Sequence, residues 1–235
     1  MDFKKIAIIC LFVLLAGAAI SWRTRKQNIT DVRIQLKPGE AIILNVTTVN
    51  NANASKWQYL EMAHPPLVLN SGWSLSFKEG GPSIPSAKAM EQLKPWTSFT
   101  DDSATQNFSG TGVYSTTFTL PQKNASEYLL QLGKVYESAR VYINGKDAGI
   151  VWSIPFEARI GQYLKAGQNT ITIEVANLMA NRIRYMDRMG MEWRKYHEIN
   201  FVNIDYKNFD ASKWKVETSG MEGPVTITPF GADTR

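Results

Sequence analysis

Residues 112–120 read GVYSTTFTL. Tyr114, Thr116 and Phe118 fall on one side, and Val113 and Ser115 on the other. That period of two is the signature of a strand with one face buried. Pro121 stops it, since proline cannot continue a ladder. Residues 169–175 read NTITIEV and alternate as strictly. Between them, Ala139–Arg140–Val141–Tyr142–Ile143 runs into Asn144–Gly145, and Ile150–Val151–Trp152 follows. Asn-Gly between apolar runs is the strongest short hairpin signal.

Working outward, Trp73, Leu75 and Phe77 share one face of a further strand, and Leu67–Leu69 precedes it. Residues 79–95 read as a long loop and 96–99 as a short strand. Val32–Leu36 and Ala41–Val49 flank the turn Lys37–Glu40 and predict a leading hairpin. Phe201–Ile204 and Val225–Thr228 return to strand. About ten short strands with turn signals between them predict an all-β jelly-roll sandwich. Residues 178–198 break the pattern with four Met and four Arg, and predict a short helical or irregular insertion, with helix expected over 188–198. No β–α alternation occurs, so this stretch encodes no TIM barrel.

The chain has 235 residues, 44% apolar and 20% charged, which suits a domain that buries a core. Residues 1–21 follow the order of a secretory signal: Lys4 and Lys5, an apolar run from Ile6 to Leu15, then small residues. The run is short for a membrane span. Arg23, Arg25 and Lys26 follow it, so an uncleaved anchor is the alternative, and the membrane enters only through this segment. The expected location is the periplasm or the outside of the cell. The sole cysteine, Cys10, lies inside the run, so the expected mature chain has no disulfide or cysteine-bound zinc. The expected domains are 1–21 signal or anchor, 22–66 linker and leading hairpin, and 67–230 sandwich.

The net charge is +5, and loss of Asp2, Lys4 and Lys5 with the leader would make it +4. The arginines at 182, 184, 188 and 194 interleave with Asp187, Glu192 and Glu198, which argues against a nucleic-acid partner. An acidic or sulfated glycan fits such a segment. There is no run of acids of the EF-hand kind, so no cofactor is expected; calcium held by loop carbonyls and Asp is the alternative.

Three blocks carry a family resemblance. The first is Gly72–Phe77 with Trp96–Thr97 and Phe108–Tyr114. The second is Leu130–Ile160 with Leu164–Asn169 and Ile173–Asn177. The third is Ala180–Arg184, Trp193–Arg194, Glu198–Asn203, Phe209–Ser212 and Ser219–Val225. The second block resembles the sugar-binding β-sandwich of glycoside hydrolase family 2, within the galactose-binding-like superfamily. All three together resemble the C-terminal region of family 106 α-L-rhamnosidases. The resemblance covers roughly residues 31–230. It implies a carbohydrate partner and no activity by itself, because those enzymes carry their catalytic carboxylates in a barrel not present here. A glycosidase catalytic subunit is a second implied partner.

Glycoside hydrolysis needs two carboxyls about 5–10 Å apart. No spacing selects a pair; Glu137 and Glu198 are the catalytic candidates, with Asp187 and Glu192 beside them in the matched blocks. Trp193 leads the candidate stacking aromatics. Trp152 either stacks on sugar or, in a Trp-x-x-Pro-Phe segment of this fold, closes one end of the sandwich. Asn181, Asn200 and Asn203 offer amides that both donate and accept. Arg182 holds an oxyanion or pairs within the fold with Asp187 or Glu198. Three readings follow: a carbohydrate-binding module, a glycosidase or a subunit of one, and a sandwich that packs on a partner through Met179, Met186, Met189 and Met191.

Overall fold

A computed structural model describes residues 32, 34–36, 41–46, 59–194, 205, 207 and 209–232. Residues 1–35 form a separate small unit.

Thirteen described strands form three antiparallel sheets. The six-stranded sheet has the order β4-β3-β5-β11-β8-β9. Its members are β3 (Trp73–Gly81), β4 (Lys88–Met90), β5 (Ser109–Leu120), β8 (Ser138–Ile143), β9 (Lys146–Val151) and β11 (Gly167–Ala176). The five-stranded sheet has the order β1-β13-β6-β10, with β2 also on β13. It uses β1 (Leu60–Met62), β2 (Leu67–Leu69), β6 (Glu127–Gln131), β10 (Glu157–Arg159) and β13 (Val225–Ala232). The third pairs β7 (Lys134–Tyr136) with β12 (Gly220–Glu222).

The alternation read from the sequence is the alternation of burial. In β5 the even-numbered residues from Gly112 to Leu120 are buried and their neighbours are not. Tyr114, Ile171, Ile173, Val141 and Ile143 from the larger sheet share one core with Tyr128, Leu130, Val225 and Ile227 from the smaller. This is the all-β sandwich that the pattern predicts. Asn144 and Gly145 make the two-residue turn with φ of 52° and 77°, the positive values that the favoured hairpin turn requires. The Asn144 carboxamide donates to Asn169 Oδ1 at 2.8 Å and accepts from Thr170 N at 3.1 Å, which pins the turn to β11.

One end of this core is aromatic. The Phe77 and Phe108 rings meet edge-on at 4.8 Å, and Trp96 lies 5.9 Å from Phe77 and 6.5 Å from Tyr114. A Cβ on Gly112 would come within 2.5 Å of the Trp96 ring, so this position admits glycine alone.

Several local expectations change. Residues 79–95 are not one loop, because β3 runs to Gly81 and β4 pairs with it. Trp96–Ser98 is a 3-10 turn that caps the core, not a strand. Among the described residues the two α-helices are α1 (Ser103–Gln106) and α2 (Ala180–Arg188). α2 therefore precedes the expected 188–198 segment, whose described part, residues 189–194, is not helical. Residues 32, 34–36 and 41–46 are not in strands. Ile43 and Val46 are exposed there, and a hairpin with no layer to pack on has little to hold it. The sandwich takes in Leu60–Met62, ahead of residue 67. The leader 1–21 and the strand 201–204 lie outside the described residues, as do Glu198, Asn200 and Asn203.

Candidate functional site

The register of the six-stranded sheet gathers one set of strand ends. Gly81 pairs with Ser109, Thr111 with Ala176, Ala176 with Ser138 and Ala139 with Val151. The end of β3, the start of β5, the end of β11, the start of β8 and the end of β9 therefore form one row. Four inter-strand steps make it about 19 Å long. The loops and α2 that cover this row are where binding residues on a rigid sandwich gather.

A recess of about 160 Å³ sits over the middle of the row. Tyr136, Glu137, Asn177, Leu178, Glu217, Thr218 and Ser219 line it. Glu137 holds φ of 100°, a conformation that a side chain rarely adopts, and such residues concentrate at functional loops. Glu137 thus shares a recess with Glu217, a carboxylate that the sequence reading did not single out.

The floor is a hydrogen-bond network. Asn177 Oδ1 accepts from Gly110 N at 2.8 Å, and its Nδ2 donates to Ser219 Oγ at 2.8 Å. Asn181 is 1% exposed. Its Nδ2 donates to Glu217 O at 2.7 Å and its Oδ1 accepts from Glu217 N at 2.8 Å. That corrects the expectation for Asn181: its amide is spent on backbone and does not reach a sugar.

Beside α2 stands an aromatic group that the chain assembles from distant positions. Trp193 meets Phe209 edge-on at 5.9 Å, and Phe209 meets Trp214 at 5.4 Å. Asp187 braces it, accepting from the Trp193 indole N–H at 2.5 Å and from Ala211 N at 2.7 Å. Arg184 Nε donates to Trp214 O at 2.8 Å, and Arg184 Nη1 to Asn107 Oδ1 at 3.2 Å. The Arg194 guanidinium lies over the Trp193 ring, 4.9 Å from its centre. Trp193 is therefore a support: its N–H is taken and a ring face is covered. Asp187 is likewise a brace and pairs with no arginine among the described ion pairs. Arg194 also lies 5.7 Å from the centre of the Phe209 ring, so the more open ring of this group is that of Trp214, 42% exposed.

At the far end of the row Trp152 is 73% exposed. It does not close the sandwich; Val151 before it and Phe156 after it pack on the core instead. A second concavity of about 370 Å³ lies beside it, walled by Ile154, Pro155, Phe156 and Pro224.

Among the described residues no three His, Cys, Asp or Glu side chains converge as metal ligands. No described helix is long and apolar enough to cross a membrane.

The sequence family described as glycosyl hydrolases family 2, sugar binding domain, matches residues 83–203. A Formosa agariphila protein provisionally named beta-glucuronidase is 29% identical over 181 residues, covering 69% of this chain and 15% of that protein. The structure of the rhamnosidase from Novosphingobium sp. PP1Y shares the fold with a TM-score of 0.55 at 26% identity, over 74% of this chain and 16% of that one. The beta-glucuronidase of an uncultured Clostridium sp. gives a TM-score of 0.50 at 20% identity, over 74% of this chain and 31% of its own. The chain thus spans a small part of the length of each.

Proposed function

The chain belongs to the glycosyl hydrolase family 2 sugar-binding domains, and from that premise we propose that it is an exported carbohydrate-binding protein acting beside polysaccharide-degrading enzymes. One observation carries the reading. Trp214 and Trp152 stand exposed along the same row of strand ends, with the polar recess of Glu137, Asn177 and Glu217 between them. Sugar rings present flat C–H faces and a rim of hydroxyls. Aromatic faces flanking a set of amides and carboxylates match that surface. The rhamnosidase likeness makes rhamnose-containing polysaccharides the first to test. The apolar leader supports export.

Calorimetric titration of the purified chain against neutral and acidic glycan oligosaccharides tests this. Trp214→Ala removes an apolar platform worth about 1.5–3 kcal/mol when covered, so affinity drops about tenfold or more. Unchanged affinity in that variant, or no binding across the panel, contradicts the reading.

A second reading rests on the family itself, the sugar-binding domain of glycosyl hydrolases: the chain serves as a non-catalytic subunit of a glycosidase of the α-L-rhamnosidase kind. Co-purification of a barrel protein from native cells tests it. Hydrolysis of aryl-rhamnosides by the isolated chain, lost in Glu137→Gln, would place the chemistry here instead.

A further inference from the structure

We propose that Arg182 is an oxyanion-recognition residue, and that the glycan bound at this end carries a carboxylate or a sulfate ester. The inference rests on the carbohydrate-binding reading above and specifies its ligand class.

Arg182 lies in the first turn of α2. Its backbone N–H donates to Ser109 Oγ at 3.2 Å, which fixes the helix against the start of β5. Its guanidinium lies flat against Gly81: a Cβ there would sit 2.7 Å from Cζ and 2.8 Å from Nη1. Glycine at the end of β3 leaves that space open. The side chain is half-buried, its Nε is sealed from solvent, and that atom has no hydrogen-bond partner among the described residues. None of the described ion pairs includes it.

Two other arginines of this segment are bonded. Arg184 holds Asn107 and Trp214. Arg194 donates to Phe209 O. Asp187, the nearest acid in sequence, has its two oxygens on the Trp193 indole and Ala211 N. A guanidinium partly withdrawn from water without a counter-charge is costly to keep. A ligand anion removes that cost. With Nε sealed, the accessible fork is the end-on pair Nη1 and Nη2, which matches two oxygens of a carboxylate or sulfate. The position lies on the same row of strand ends as the recess, at its β3 end. A bound chain that reaches from the tryptophans along the row would bring an acidic unit to it.

The test uses the full chain and three oligosaccharides of equal length: oligogalacturonate, a sulfated galactan and a neutral galactan. Titrations at low and high salt are compared in wild type, Arg182→Gln, Arg182→Lys and Trp214→Ala. Expected is at least tenfold tighter binding of one charged oligosaccharide than of the neutral one, weakened by salt. Which one identifies the anion. Arg182→Gln abolishes the preference, and Arg182→Lys restores part of it through charge without the fork. Trp214→Ala weakens charged and neutral ligands alike. If neutral and charged ligands bind equally, or Arg182→Gln keeps the preference, the inference fails while the carbohydrate reading stands. If no oligosaccharide binds, both fail. A third result would also overturn it: Arg182→Gln and Glu198→Gln lowering the melting temperature non-additively, which makes Glu198 the partner.

Discussion

Asp102 shows how much a single carboxylate can organise. Its Oδ2 accepts from Lys88 Nζ at 2.6 Å and from Thr105 Oγ1 at 2.7 Å, while Oδ1 accepts from Thr105 N at 3.1 Å. It caps α1 and ties it to the edge strand β4. The Lys88 hydrogen bond, then that of Thr105, lowers its pKa to about 2. The folded value lies below the unfolded one. Its contribution to stability is therefore complete above about pH 4 and disappears as pH falls through about 2. Asp102→Asn should cost about 1–2 kcal/mol at pH 7, and the gap to wild type should close between pH 4 and pH 2. Denaturant unfolding across that range checks it. A pH-independent gap would mean that the charge plays no part.

At the scale of elements, α2 and the 209–219 segment hold each other. Asn181 is the one buried residue of the helix, and it clamps both backbone groups of Glu217. Asn181→Ala leaves those groups unpaired, at a cost of about 1–3 kcal/mol. The segment should then open locally before the sandwich unfolds. Trypsin should cut faster at Lys213 and Lys215 in the variant, with the global melting temperature moving less than the cleavage rate. Equal cleavage rates would show that the clamp is not what holds the segment. The same pair explains a limit of sequence reading. β3, β5, β8 and β11 were legible because each puts every second residue on the core. α2 buries a polar amide and no apolar stripe, so hydrophobic periodicity could not locate it, and its expected position fell too late. β7 and β12 are three residues each and pair across 86 positions, as Val135 with Met221, which no local pattern reveals.

At the scale of the molecule, the strand register is the origin of the site. It brings Gly81, Ser109, Ala176, Ser138 and Val151 to one end, so the loops after them share a surface. The sequence singled out Trp152, Arg182 and Glu137, which do lie there. It put Trp193 first among stacking aromatics, because the covering guanidinium of Arg194 and the bond to Asp187 exist only once the chain is folded. Phe209 and Trp214 went unchosen because the groups that tie them to the helix, Trp193 and Arg184, lie in a different segment. The central claim is that glycan contacts this end of the six-stranded sheet. The most direct measurement is amide and indole NMR of the labelled chain during titration with an oligosaccharide that binds. The indoles of Trp152 and Trp214 and the backbone amides of Glu137 and Leu178 should shift together and saturate at one ligand concentration. Shifts confined to the opposite end, at Asn144, Gly145, Tyr163 and Gly167, would contradict the account.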